Sequence, residues 1–223
     1  MKKIVTVIAM IAIASTGFVS ADVADGNFTN TVGFVAYDSI IDSSQVDDGW
    51  YVGYDGDPGA WHYDTANHEV TRGSTASSRA FGQIFTTTRT GNQTIVIDWT
   101  MVDADESSDN RVSYAVYGVT KGTGSGFASF DISSWGFNTT ADSGSTATKL
   151  ADWRRHNVPL AEMADPITID IDCGTGYDEY AIGFSTFNMN AGDSVTVRSI
   201  QFIPEPATFG LLGLGIIAFI RRK

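Results

Sequence analysis

The chain has 223 residues, is 43% hydrophobic and carries a formal net charge of −12 with a single cysteine. A surface this acidic repels phosphate backbones, which argues against a nucleic-acid partner and gives no attraction to anionic lipid headgroups. One cysteine leaves no disulfide within the chain, so the fold must stand on packing alone.

The first residues read as a secretory signal. Lys2-Lys3 is its basic start, Ile4 to Ala14 its apolar core and Val19-Ser20-Ala21 its small-residue end, so signal peptidase is expected to cut between Ala21 and Asp22. An uncleaved anchor fits less well, because the apolar run is short for a membrane span. From Asp22 to Ile203 there are 182 residues, a length that suits one domain with one sizeable core. This stretch holds 9 basic and 25 acidic residues, a net charge near −16, which favours solubility and weak binding of divalent cations.

The lead-in Asp22 to Asn30 is small and polar and need not be ordered. Val32 to Ile41 is the first strand expected. After the turn Asp47-Asp48-Gly49 comes an aromatic group, Trp50-Tyr51-Val52-Gly53-Tyr54, a Gly/Pro loop from Asp55 to Gly59, and Trp61-His62-Tyr63. Strands follow at His68–Arg72, Arg79–Thr88, Asn92–Val102 and Arg111–Val119. In Asn92–Val102, Ile95, Ile97, Trp99 and Met101 share one parity, and the helix period cannot reproduce that alternation.

Phe127 to Ile132 is a weaker strand, and Thr139 to Lys149 reads as a long loop without a period. Trp153 to Leu160 suits an edge strand because of Pro159. Ile167, Ile169, Ile171 and Cys173 oppose Thr168, Asp170 and Asp172, which places the two aspartates on a solvent face. Cys173 reads as a small buried hydrophobe at the end of that strand. Tyr180–Phe187 and Ser194–Ile203 close the domain, with a change of parity near Arg198-Ser199 that predicts a bulge. About ten short strands with turns between them, and almost no helix, predict an all-β, antiparallel two-sheet sandwich.

The chain ends in three parts: Pro204-Glu205-Pro206, an apolar glycine-rich run Ala207 to Ile220, and Arg221-Arg222-Lys223. The basic end stays cytoplasmic by the positive-inside rule, which leaves everything before Pro204 on the outer side. As a helix the run from Ala207 to Ile220 rises about 21 Å against a hydrocarbon core of roughly 30 Å, so it reads as a short transmembrane-type helix that holds the chain temporarily. This order of Pro-Glu-Pro box, apolar segment and basic end resembles the PEP-CTERM sorting signal. The resemblance implies a bacterial exported protein parked in the inner membrane by its tail. An exosortase then recognises Pro204, Glu205 and Pro206, cuts near them and passes the protein toward the cell surface or an extracellular polysaccharide matrix.

A second stretch, Phe81-Gly82-Gln83-Ile84-Phe85-Thr86-Thr87 followed by Gly91 and Ile95-Val96-Ile97-Asp98-Trp99, is similar to the paired strands of galactose-binding-like jelly rolls used by carbohydrate-binding modules. Trp153 with Val158 and Leu160, Tyr180 to Phe184 and the strand at Val195 sit in the order of that fold. Asn27-Phe28-Thr29 and Arg198 depart from its pattern at positions that help hold a structural calcium ion in such modules.

Binding of a polysaccharide by such a module needs exposed rings that stack on sugar faces. Trp50, Tyr54, Trp61 and Tyr63 are the candidates, beside the alternative that they fill the space between the sheets. Asp103, Asp105, Glu106 and Asp109 crowd one loop, but Ser107 and Ser108 and the lack of a closing glutamate break the calcium-loop pattern. His62, His68 and His156 have no metal-ligand spacing, and no serine elbow or phosphate loop is present. No metal, cofactor or catalytic residue is therefore expected, and the reading is a non-enzymatic surface or structural protein. Asn27, Asn92 and Asn138 stand in Asn-x-Thr sequons, read here as polar loop residues.

Overall fold

Period-two burial runs through the strands of one half of the molecule and is lost in the other half, and that difference sets the architecture. The computed structural model describes residues 23, 26–28, 35–37, 40–53, 61–64, 66–72, 79–103, 110–132, 137–156, 164–173, 176–187 and 189–203. The signal segment with Ala21 and Asp22, Tyr54, Asp105, Glu106, Asp109 and the tail 204–223 lie outside these residues.

The strands are β1 (Val35–Tyr37), β2 (Ile40–Ile41), β3 (Tyr51–Gly53), β4 (His62–Asp64), β5 (Glu69–Arg72), β6 (Arg79–Phe85), β7 (Asn92–Val102), β8 (Arg111–Thr120), β9 (Phe127–Asp131), β10 (Thr139–Ala141), β11 (Thr146–His156), β12 (Ile167–Asp172), β13 (Glu179–Phe187) and β14 (Ser194–Ile203). One sheet has the order β12-β7-β14-β5-β4 and another β1-β3-β6-β13-β8-β11. Pairing is antiparallel except between β1 and β3. The two sheets pack face to face, so the expected sandwich is present.

The five-stranded sheet has one wet face. Ile95, Ile97, Trp99 and Met101 of β7, Ile169 and Ile171 of β12, and Val195, Val197, Ile200 and Phe202 of β14 point into the main core. Thr94, Asp170, Asp172 and Arg198 lie on the solvent side, in keeping with the alternation in the sequence. The register of β14 against β7 shifts between Val197 and Ser199, where the parity of its apolar residues changes.

The six-stranded sheet is buried on both faces, and so its central strands show no alternation. Val112, Tyr114 and Val116 of β8 enter the main core, whereas Ala115, Tyr117 and Val119 enter a second core. That second core is covered by a small third sheet of order β10-β9-β2, which brings Ile41, Phe127 and Phe130 onto it. Gly183 and Gly82 pair across β13 and β6 and leave room there. A Cβ on Gly82 would come within 3.0 Å of the Phe130 ring, and one on Gly183 would overlap the Phe137 ring. The rings of Phe130 and Phe137 stack with centroids 5.9 Å apart.

Two expectations are corrected. Thr139 to Lys149 is not one long loop: it forms β10, a tight turn and the start of β11, the edge strand that pairs with β8. The lead-in after Asp22 is ordered at its described residues, where Val23 and Phe28 are buried in the main core. Phe28 gains ring contacts with Trp50 at 5.5 Å and Phe81 at 6.3 Å, enough apolar burial to order a segment of low strand propensity.

Candidate functional site

The last strand carries the chain directly into the tail. Ile203, the final residue of β14, pairs with Thr94, and Pro204 follows with no intervening residue. Phe202 is buried against Phe85 at 6.0 Å, and the Arg89 guanidinium lies 5.0 Å from the centre of its ring. The junction is therefore anchored in the main core on its domain side.

On its other flank, β5 pairs with β14 only from Val195 to Val197. Past the bulge, the carbonyl of Gly26 accepts the Ile200 N–H at 2.7 Å, and a turn closes from the Gly26 N–H to the Val23 carbonyl at 3.2 Å. A Cβ at position 26 would overlap the Ile200 carbonyl oxygen, so this close approach requires glycine. The segment just after the expected signal cut thus lies beside the strand that leads to the Pro-Glu-Pro box.

Of the two readings of the aromatic group, the structure gives Trp50 and Trp61 the interior one. Trp50 is fully buried and Trp61 is 3% exposed. Trp50 touches Phe81 at 5.3 Å, and Trp61 touches Phe81 at 4.8 Å and Phe184 at 5.9 Å. Parity explains the outcome: Trp50 and Val52 point into the main core while Tyr51 points into the second, so the segment has no wet face. Tyr63 packs partly against the main core, donates its hydroxyl to the Phe28 carbonyl and meets His68 Nδ1 at 3.1 Å. Tyr54 lies outside the described residues.

A cavity of about 330 Å³ opens instead between the 3-10 turn Ser43–Gln45 and the strand β9, lined by Asp42, Ser43, Ser44, Ser125, Phe127 and Asp142. Asp42 caps the turn: its carboxylate accepts the Ser44 N–H at 2.8 Å, and the Gln45 side-chain oxygen accepts the Asp42 N–H at 2.7 Å. Asp142 accepts the Ser125 hydroxyl at 2.7 Å. That bond, followed by the Ser125 and Ser143 amides, holds its carboxyl below the ordinary carboxylate value.

Behind the cavity, Ser43 Oγ donates to the buried Glu179 carboxylate at 2.5 Å and accepts the Phe127 N–H at 2.6 Å. Lys121 Nζ reaches the other oxygen of Glu179 at 2.5 Å. Beside the apolar Phe127 and Ala128, every polar side chain of the lining carries a hydroxyl or a carboxylate, groups that can hydrogen-bond a neutral polyhydroxylated ligand. Sequence reasoning did not find this cavity. Its one local signal was Asp42-x-x-Gln45, a capping-box spacing that places the turn and says nothing of the facing loop.

The remaining candidates are scattered. His62 and His68 are exposed, and Asp103 accepts from Asn110 at 2.8 Å. Among the described residues no three His, Cys, Asp or Glu side chains converge as a metal site would require. Cys173 is buried, and burial pushes its thiol above the ordinary value.

Residues 202–223 match the family described as the PEP-CTERM protein-sorting motif. The chain carries a PEP-CTERM sorting motif. It is the mark of an exported protein, and it begins inside β14 at Phe202, so the motif and the sandwich share two residues. Pro204, Glu205, Pro206 and the basic end Arg221, Arg222 and Lys223 all fall within the match.

No curated protein matches this chain in sequence. Among solved structures, similar chains include TmCBM61 in complex with β-1,4-galactotriose, at 13% identity over 70% of this chain and 88% of that one, TM-score 0.35. A CBM4 structure aligns at 10% identity over 82% and 99%, TM-score 0.39. The xylan-binding module CBM15 aligns at 12% identity over 73% and 94%, TM-score 0.35. Among the described residues no helix is long and apolar enough to cross a membrane, and the run Ala207 to Ile220 lies outside them.

Proposed function

We propose that this is a non-enzymatic surface or matrix protein. Its sandwich is exported by an N-terminal signal cut by signal peptidase, held transiently at the inner membrane by the tail, and released by an exosortase acting at Pro204-Glu205-Pro206. One observation carries the reading: the sorting motif match begins within the last strand of the sandwich. The domain is then cargo, and the tail is the part that acts.

Fractionation of cells producing the full chain, a chain stopped after Ile203, and a Glu205→Ala variant tests this. The full chain should reach the surface or matrix fraction. The stopped chain should be exported without reaching it, and the variant should accumulate in the inner membrane. Equal surface levels of all three would overturn the reading.

The cavity at Asp42, Ser43, Ser44, Ser125 and Asp142 favours a second role for the delivered domain, weak binding of an extracellular polysaccharide. Its hydroxyl and carboxylate side chains suit sugar hydroxyls, and hydrogen bonds there would stand in for the stacking that the buried Trp50 and Trp61 do not offer. Affinity electrophoresis through a panel of polysaccharides reads it out: retardation by one glycan, lost in Ser44→Ala, supports binding. Retardation by none contradicts it.

A further inference from the structure

The junction between sandwich and tail has almost no slack. Ile203 is paired in β14 and the apolar run begins at Ala207, so only Pro204, Glu205 and Pro206 separate a fixed strand from the membrane segment. Fully extended, the steps from Ile203 to Ala207 span at most about 14 Å. Any bend shortens that reach.

The sandwich itself uses up much of this distance. Thr94 is the partner of Ile203, so Asn92, the first residue of β7, and Gly91 just before it, two and three residues earlier, project past the end of β14 by about 7–10 Å. With the tail running straight on from the strand, the turn at Gly91 stands within about 4–7 Å of the apolar run, and the headgroup layer of one leaflet is itself about 5–8 Å thick.

The chemistry of that end agrees with the distance. Thr88, Thr90, Gly91 and Asn92 are exposed and uncharged, Arg89 is a cation, and Ile203 beside them is 45% exposed. Between Glu69 and Asp98 the chain holds no acidic residue, in a domain whose net charge is near −16. Two exposed anions border this turn: Asp172, the partner of Asn92, and Asp47, which accepts the Thr86 hydroxyl at 2.7 Å. The turn is fixed rather than loose, because the Cys173 N–H donates to the Gly91 carbonyl at 2.8 Å.

We infer that, until the tail is cut, the end of the sandwich formed by the Thr88–Asn92 turn and Ile203 lies in the headgroup layer of the membrane, as a lipid-apposed surface. The inference rests on the tail acting as a membrane hold. The processing enzyme then meets the box pressed between a folded domain and the bilayer, and the length of the junction sets its access.

The test uses the chain from Asp22 to Lys223, the form left by signal removal, in a Cys173→Ser background. A fluorophore is placed at Asn92→Cys or at Ala191→Cys, the latter in the exposed turn before β14 and about 30 Å away along the strand. The vesicles are of phosphatidylethanolamine and phosphatidylglycerol doped with a headgroup-nitroxide lipid. The nitroxide should quench the probe at position 92 several-fold more than the one at 191. A twenty-residue Gly/Ser spacer between Ile203 and Pro204, with a mean span of about 25 Å, should abolish the difference without loss of vesicle binding. Equal quenching at both positions, or a difference unchanged by the spacer, overturns the inference. Loss of vesicle binding by the unspaced chain overturns the membrane hold itself, and the inference with it.

Discussion

Ile200 donates its backbone N–H to the carbonyl of Gly26 at 2.7 Å, which joins the segment after the expected signal cut to the strand that ends in the sorting motif. β5 begins at Glu69 and its pairing with β14 ends with Val70 opposite Val197, so past the bulge it is this contact, not β5, that meets the outer edge of β14. Replacing Gly26 by Ala forces a Cβ against the Ile200 carbonyl oxygen. The expected loss is about 1–3 kcal/mol of stability, the usual cost of overpacking a closed contact. Urea titration measures it; an unchanged midpoint would show that the segment does not brace β14.

Trp50 and Trp61 are structural. Truncating either to Ala removes a ring from the main core and should cost about 3–5 kcal/mol. The fall in urea midpoint should be large in both variants, whether or not any glycan binds. Full stability with selective loss of glycan retardation would restore the stacking role that the packing denies them.

The fold should weaken in alkali. Burial is the first cause that raises Cys173, Tyr114 and Tyr180 above their ordinary values of 9.0, 10.0 and 10.0. These acids stay neutral in the folded chain at pH values where the unfolded chain has already released their protons. Their contribution is intact below the unfolded values and is lost as pH rises through the folded ones. Stability should fall by about 1.4 kcal/mol per pH unit for each group in play above about pH 9–10. Tyr180→Phe should make that fall shallower. A urea midpoint that stays level between about pH 8 and about pH 11 would contradict the assignment.

The sequence was most legible where one strand face is wet. Ile95, Ile97, Trp99 and Met101 alternate with solvent-facing partners in β7, and the bulge near Arg198 shows in the parity of Val197 and Ile200. It was least legible where both faces are buried. The third sheet rests on Phe130 and Phe137 packed over Gly82 and Gly183, a contact between distant segments that has no local period. The same limit hid the cavity, whose walls at Asp42 and Asp142 are a hundred residues apart. It also left Trp50 and Trp61 open between platform and core, since ring content does not reveal which way a ring faces. The tail was legible because its three parts are contiguous, so their order can be read along the chain without the fold.

The most direct test of the central claim is the intact mass of the protein recovered from the cell surface or matrix. The account predicts a chain that starts at Asp22 and ends near Pro204, with both terminal segments removed. A surface-located chain that still carries Ala207 to Lys223 would contradict it.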